Sequence, residues 1–233
     1  MLVSRRITSL RPTFARAMAT ATNGAGKTGA TQSQQGEQQE QQQQQQQRRR
    51  LGPLTPKEKE VLDPMIRVDQ SGEVGAYYIY MGQMAVLGRD KKLRPILQEM
   101  WDQEKHHLER FDQLVGDMRV RPSLLRPLWE VAGFAVGAGT ALMGKEAAMA
   151  CTEAVETVIG NHYDDQLRTI VKMIDANPDL EELGKTVAQF RDEELEHHDI
   201  AIEHDAHQAP FHGVLKSVIM QGCKAAIYVA ERV

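Results

Sequence analysis

The chain has 233 residues, 41% of them hydrophobic, with 28 Lys and Arg against 32 Asp and Glu. Eight of the bases lie in the first 50 residues beside only two acids, Glu37 and Glu40, so the remainder is acidic and excludes a nucleic-acid-binding face. Two cysteines without Cys-x-x-Cys spacing, Cys151 and Cys223, exclude a disulfide framework and read as buried thiols. Residues 1–22 contain Arg5, Arg6, Arg11 and Arg16, several Ser and Thr, no acid and no continuous apolar stretch. That pattern predicts a mitochondrial transit peptide, with a disordered basic arm as the plainer alternative. Residues 23–54, which include the tract Gln41 to Gln47, predict a disordered Gln-rich linker, leaving 55–233 as the folded domain.

Helical signals begin at Thr55-Pro56-Lys57-Glu58, where threonine is an N-cap, proline the first helical residue and Glu58 the closing member of a capping box. Asp63-Pro64 predicts an interruption, followed by a longer helix to about Leu87, ended by Gly88. A second helix is expected from about Lys92 to Met118, with Arg121-Pro122-Ser123 as punctuation and Ser123 as a cap. Two helices fill Leu124 to Met173, and Asn177-Pro178 opens another that runs to about His207. Pro210 starts a last amphipathic helix, Phe211 to Arg232. Nothing alternates with period two, so the fold class is all-α.

Val131 to Gly144 stands apart as an uncharged stretch rich in Gly and Ala. It falls short of the roughly 20 apolar residues a membrane span needs. It fits either a buried helix or a segment lying in a membrane interface, and Gly133, Gly137, Gly139 and Gly144 permit close backbone approach.

The chemistry is concentrated in a Glu-x-x-His pair that occurs twice, as Glu104/His107 and Glu194/His197. Positions i and i+3 share one helix face, so each pair can hold a metal with one oxygen and one nitrogen. Chance alone supplies roughly 0.65 such pairs in a chain of this Glu and His content, so the doubling carries the signal. Each pair also follows a helix bearing a glutamate, Glu73 in the first half and Glu156 in the second, which suggests a pseudo-twofold repeat. Four carboxylates and two imidazoles are the ligand set of a di-iron or di-manganese centre in a four-helix bundle, whereas structural zinc prefers Cys and His. Taken singly, each glutamate reads as a solvated helix face. Glu153 lies three residues before Glu156 on a similar face, and spacing leaves both open as the fourth carboxylate; Glu193, Glu196, His106, His198, His204 and His207 crowd the neighbourhood. Glu194, not Glu193, has a histidine at i+3.

From about Ile66 to Val233 the chain resembles the di-iron demethoxyubiquinone hydroxylases of ubiquinone biosynthesis. The strings that carry the resemblance include RVDQSGE (67–73), YMGQMAVLG (80–88), MWDQEKHH (100–107), GAGTALMGKE (137–146), FRDEELEHHD (190–199) and AIYVAERV (226–233). The resemblance implies a ferritin-like four-helix bundle with a di-iron centre and two additional helices, one of them membrane-interfacial. It places the ligands on Glu73, Glu104, His107, Glu156, Glu194 and His197, taking Glu156 over Glu153. The histidines would then be terminal ligands, Glu104 and Glu194 bridges, and Glu73 and Glu156 the completing pair. His162 and Tyr163 become candidates for a relay or an outer-sphere role, with ordinary packing as the plainer reading.

The implied activity is a monooxygenase that hydroxylates the demethoxyubiquinone ring, using two Fe ions, O2 as co-substrate and NADH as electron donor. Implied partners are a polyprenyl quinone, the inner mitochondrial membrane on its matrix side, and a multi-subunit ubiquinone-synthesis complex that includes a lipid-binding protein. The one Gly-x-Gly-x-x-Gly string, Gly24 to Gly29, falls in the expected disordered linker and not between a strand and a helix, so a Rossmann site is not expected. The competing readings are a ferritin-like ferroxidase, which would want a polar face near Val131 to Gly144, and a non-catalytic scaffold.

Overall fold

The computed structural model describes residues 54–233. The expected transit peptide and all but the last residue of the expected linker lie outside the described residues. The described chain forms α1 (Pro56–Leu87), α2 (Leu93–Met118), α3 (Arg126–Leu142), α4 (Lys145–Ile174), α5 (Glu181–Glu203) and α6 (His212–Ala230). No strand occurs among the described residues. α1, α2, α4 and α5 make the four-helix bundle, and α3 and α6 are the two additional helices, as the family resemblance implies for a ferritin-like fold.

The capping box at the start of α1 is formed: Glu58 N–H donates to Thr55 Oγ1 at 3.3 Å, and Thr55 N–H donates to Glu58 Oε2 at 2.6 Å. The expected interruption at Asp63-Pro64 does not occur, and α1 runs unbroken through Pro64. An interior proline costs about 3 kcal/mol. Leu62 and Ile66 flank it and are both wholly buried, each contributing about 1.5–3 kcal/mol, so core burial outweighs the local defect. α2 starts where expected, with Lys92 at its N-cap position, and the Asp90 side chain just before it accepts from the N–H groups of Lys92 (2.8 Å) and Leu93 (3.1 Å). Ser123 is not an N-cap. It accepts from Leu125 N–H at 3.2 Å and Trp129 Nε1–H at 3.3 Å, fixing the loop that leads into α3.

The helix carrying the second Glu-x-x-His is preceded by a 3-10 turn (Pro178–Leu180) capped by Asn177. It ends at Glu203, short of the expected His207, because Asp205 turns into the left-handed region with φ 73°.

Two apolar layers sandwich a polar belt. One contains Leu62, Ile66, Phe111, Leu114, Ile170, Val187 and Phe190. The other contains Tyr80, Leu97, Met100, Met149, Ala150 and Ala201. On every bundle helix the belt residues fall in sequence between these two layers, which hold the four helices in register around it.

α3 lies against α1 through glycine. A Cβ on Gly137 would sit 2.0 Å from Ile79 O, one on Gly133 2.5 Å from Gly75 O, and one on Gly82 2.4 Å from Phe134 O. Gly139 faces open space, and Gly144 serves the turn between α3 and α4 at φ 118°, so the close approach expected of four glycines belongs to two of them. The opposite face of α3 exposes Leu128, Val131 and Leu142, and α6 exposes Phe211, Val214 and Val218. Among the described residues no helix is long and apolar enough to cross a membrane.

Candidate metal centre

Each bundle helix sends carboxylate or imidazole side chains into the belt: Glu73 from α1, Glu104 and His107 from α2, Glu156 from α4, and Glu194 and His197 from α5. All six are buried. They form two quartets whose ligand atoms lie within 4.8 Å of one another, Glu73–Glu104–His107–Glu194 and Glu104–Glu156–Glu194–His197. Glu104 and Glu194 belong to both. His107 Nδ1 is 3.1 Å from Glu194 Oε1 and 3.6 Å from Glu73 Oε2. His197 Nδ1 is 3.1 Å from Glu104 Oε1 and 3.2 Å from Glu194 Oε2.

The far side of each ring is also held. His107 Nε2 lies 2.6 Å from Glu193 Oε2, and His197 Nε2 lies 2.5 Å from Gln103 Oε1. With Nε2–H donated outward to these oxygens, Nδ1 is the nitrogen turned inward toward the carboxylates, where it holds a proton against them or, once that proton is displaced, offers its lone pair to a metal. Two tyrosines complete the pattern: Tyr163 O–H donates to Glu73 Oε1, and Tyr80 O–H donates to Glu156 Oε1 at 3.3 Å.

The pseudo-twofold relation therefore extends beyond the six. Tyr80 lies seven residues after Glu73 and serves Glu156, and Tyr163 lies seven after Glu156 and serves Glu73. The residue before each bridging-position glutamate, Gln103 or Glu193, braces the histidine of the other half. Tyr80, Gln103 and the bracing role of Glu193 are not among the sequence expectations. A Glu with Tyr at i+7, repeated in both halves, is the signal in the sequence that could have found Tyr80.

His162 does not join its neighbour Tyr163 at the centre. Its Nε2 is 2.9 Å from Gln166 Nε2 and 3.7 Å from Asp69 Oδ1, since adjacent helical residues point about 100° apart. Glu153 also faces elsewhere, toward His212 and Lys216 on α6.

The electrostatics fit a cation. Burial, then the charge of Glu194, pushes the Glu104 carboxyl up to about 8, and burial with Glu194 and Glu104 raises Glu156 well above the carboxylate range. Burial alone would lower the imidazoles, yet hydrogen bonds donated to Glu104 and Glu194 bring His197 up to about 10, and those donated to Glu193, Glu194 and Glu73 raise His107 well above its usual value. Glu194 is also buried, but hydrogen bonds from both histidines hold it well below the ordinary range. Protons thus balance the charge of the belt, and a pair of divalent cations would do so by displacing them. Glu73 Oε2, both Glu104 oxygens and His107 Nδ1 are buried without a well-aligned hydrogen bond. Poorly paired buried polar atoms cost free energy, and metal bonds are what this donor set can make instead.

The outer braces give a direct expectation. Gln103→Ala or Glu193→Ala is expected to lower the affinity for divalent metal about 10–100-fold while the helical spectrum is unchanged, as measured by competition with a chelator. Unaltered affinity in both variants would show that the imidazole orientation does not depend on them.

Beside the centre lies a cavity of about 390 Å³, walled by α1, α3, α4 and α6. Its lining is apolar apart from Asp69, Ser71, Glu73, His162 and Tyr163, so one end touches Glu73 and Tyr163.

Residues 60–230 match the family described as "Ubiquinone biosynthesis protein COQ7". The "NADPH-dependent 3-demethoxyubiquinone 3-hydroxylase, mitochondrial" of Bos taurus is 58% identical, over 75% of this chain and 79% of its own. The "5-demethoxyubiquinone hydroxylase, mitochondrial" of Saccharomyces cerevisiae is 49% identical, over 77% of this chain and 82% of its own. The "3-demethoxyubiquinol 3-hydroxylase" of Rhodospirillum rubrum is 50% identical, over 78% and 82%.

Proposed function

The chain belongs to the COQ7 family of ubiquinone biosynthesis proteins, and from that membership we propose a demethoxyubiquinone ring hydroxylase that works with two irons held by the six belt residues. The observation that carries this reading is the pair of quartets sharing Glu104 and Glu194, set at the end of an apolar cavity. When bound, the irons supply the activation of O2 that organic side chains cannot. His107 and His197 would each hold one iron, Glu104 and Glu194, which belong to both quartets, would serve both, and Glu73 and Glu156 would each complete one quartet. Tyr163 and Tyr80 fix the rotamers of those outer glutamates.

The apolar walls exclude water and would admit the ring to the end of the cavity that Glu73 lines. Asp69 and Tyr163 are the polar groups that meet the ring oxygens. The substrate is a polyprenyl quinone of the bilayer, and the exposed apolar faces of α3 and α6 flank the cavity it must reach. We place the protein peripherally on the matrix side of the inner mitochondrial membrane, in keeping with the word mitochondrial in the names of its animal and yeast relatives. The same apolar faces suit a lipid-binding partner within a larger ubiquinone-synthesis complex. The electron donor is a reduced nicotinamide nucleotide. NADH is the form expected from the sequence, whereas the printed names of the mammalian relatives specify NADPH, which we adopt. An iron-storage role suits the structure less well, because the face near Val131 is apolar where that role wants a polar one.

Iron-loaded protein mixed with vesicles carrying demethoxyubiquinone is expected to yield the hydroxylated quinone, with the new oxygen derived from labelled O2. Turnover is expected with NADPH, and NADH is the comparison. Two irons per chain without turnover on either donor would transfer the assignment to a ferroxidase.

A further inference from the structure

One buried carboxylate plays no part in the bundle centre. Glu153, three residues before Glu156 on α4, is 1% exposed. Its Oε1 lies 2.6 Å from Lys216 Nζ and 3.4 Å from His207 Nε2, and its Oε2 lies 2.6 Å from His212 Nε2. The two imidazole rings are 4.9 Å apart. One ligand atom from each of Glu153, His207 and His212 falls within 4.8 Å of the others. These residues come from three separate backbone segments: the body of α4, the 3-10 turn Ala206–Gln208, and the first residue of α6.

Lys216 already supplies the single positive charge that a buried carboxylate needs. Two imidazoles converging on the same group are more nitrogen donors than its neutralisation requires. We infer that Glu153, His207 and His212 form a second, mononuclear site for a divalent transition cation of the class to which Zn2+ belongs. One carboxylate and two imidazoles make a three-ligand set that leaves a fourth position open to water. His207 is 59% exposed on its side chain, which gives the ion a route from solvent and room for that water. Binding takes Glu153 Oε2 and His212 Nε2 out of their hydrogen bond and releases the proton between them, while Lys216 keeps Oε1 and orients the ligating carboxylate. Unlike the bundle centre, the site has no bridging carboxylate, so it holds one ion. Its occupant joins the start of α6 to α4, and α6 is a wall of the quinone-sized cavity. The cation therefore fastens that wall.

Full-length protein titrated with ZnCl2 tests this, with His207→Ala and His212→Ala alongside. Wild type is expected to hold one more Zn2+ per chain than either variant, whatever the bundle centre takes up, since the comparison is a difference. His207→Ala should weaken that site at least ~10-fold, since even outer partners of a metal cost that much. Co2+ in its place should show the visible absorption of a four-coordinate ion in wild type and lose it in both variants. Equal Zn2+ stoichiometry and affinity in wild type and His207→Ala would overturn the proposal. The exposed position of His207 keeps that variant folded, so it decides the matter even if His212→Ala does not fold.

Discussion

Glu194→Gln is expected to reduce hydroxylation more than ~100-fold and to bring bound iron from two per chain to less than one. Even residues that only brace a ligand cost about 10–100-fold, and Glu194 belongs to both quartets. It is also the carboxylate that stays charged when its neighbours rise, because His107 and His197 both hydrogen-bond to it. The amide keeps the volume and removes the charge, so lost packing does not explain the effect. Glu73→Gln is the comparison: it touches one quartet only, and should leave the other able to hold a single metal. Iron content by elemental analysis and turnover on the same preparations check both variants. Full iron and full activity in Glu194→Gln would remove the central assumption that this carboxylate is shared.

The second large effect is predicted on stability. Gly137→Ala is expected to destabilise the fold by about 1–3 kcal/mol, because its methyl would meet the backbone of Ile79 at 2.0 Å. Backbone cannot rotate aside as a long side chain does, so α3 must lift from α1. For a domain of this size each 1 kcal/mol lowers Tm by about 2–4 °C, and a fall of roughly 2–12 °C follows. Displacing α3 also moves a wall of the cavity, so KM for the quinone should rise together with the loss of stability. Gly139→Ala, two residues along on the open side, is expected to be neutral or stabilising by up to about 1 kcal/mol. Matching melting temperatures for the two variants would refute the backbone-contact account.

What the sequence made legible follows the strength of the local constraint. Ligand pairs at i and i+3 are dictated by helix geometry, so Glu104/His107 and Glu194/His197 could be picked out, and the structure brings them together with Glu73 and Glu156. Spacing alone did not separate Glu156 from Glu153, because i and i+3 share a face; the family resemblance did, and the packing of α6 gives Glu153 a different set of neighbours. Pro64 misled because the propensity argument omits tertiary burial, here that of Leu62 and Ile66. The end of α5 was placed late because polar residues continue to His207, while the break depends on the backbone conformation of Asp205, which composition does not reveal. Val131 to Gly144 was ambiguous between burial and an interface for a good reason: α3 has a face of each kind, with Gly133 and Gly137 packed against α1 and the apolar Val131 and Leu142 exposed. Tyr80 escaped because its partner lies 76 residues away on another helix.

The sharing of Glu104 and Glu194 has a bearing on how the chain assembles. α1 and α2 form one antiparallel hairpin, and α4 and α5 another. Each quartet draws three members from its own hairpin and borrows one from the opposite one. Neither hairpin owns a complete coordination shell, so no cation can be fully bound until the two have docked in the correct register. Unneutralised, the same carboxylates repel one another across that seam, so with the proposed metals in place cation supply and correct docking would be interdependent. The loan runs in both directions, so a chain mispaired by a single helical turn forfeits both metal positions at once rather than keeping one good half.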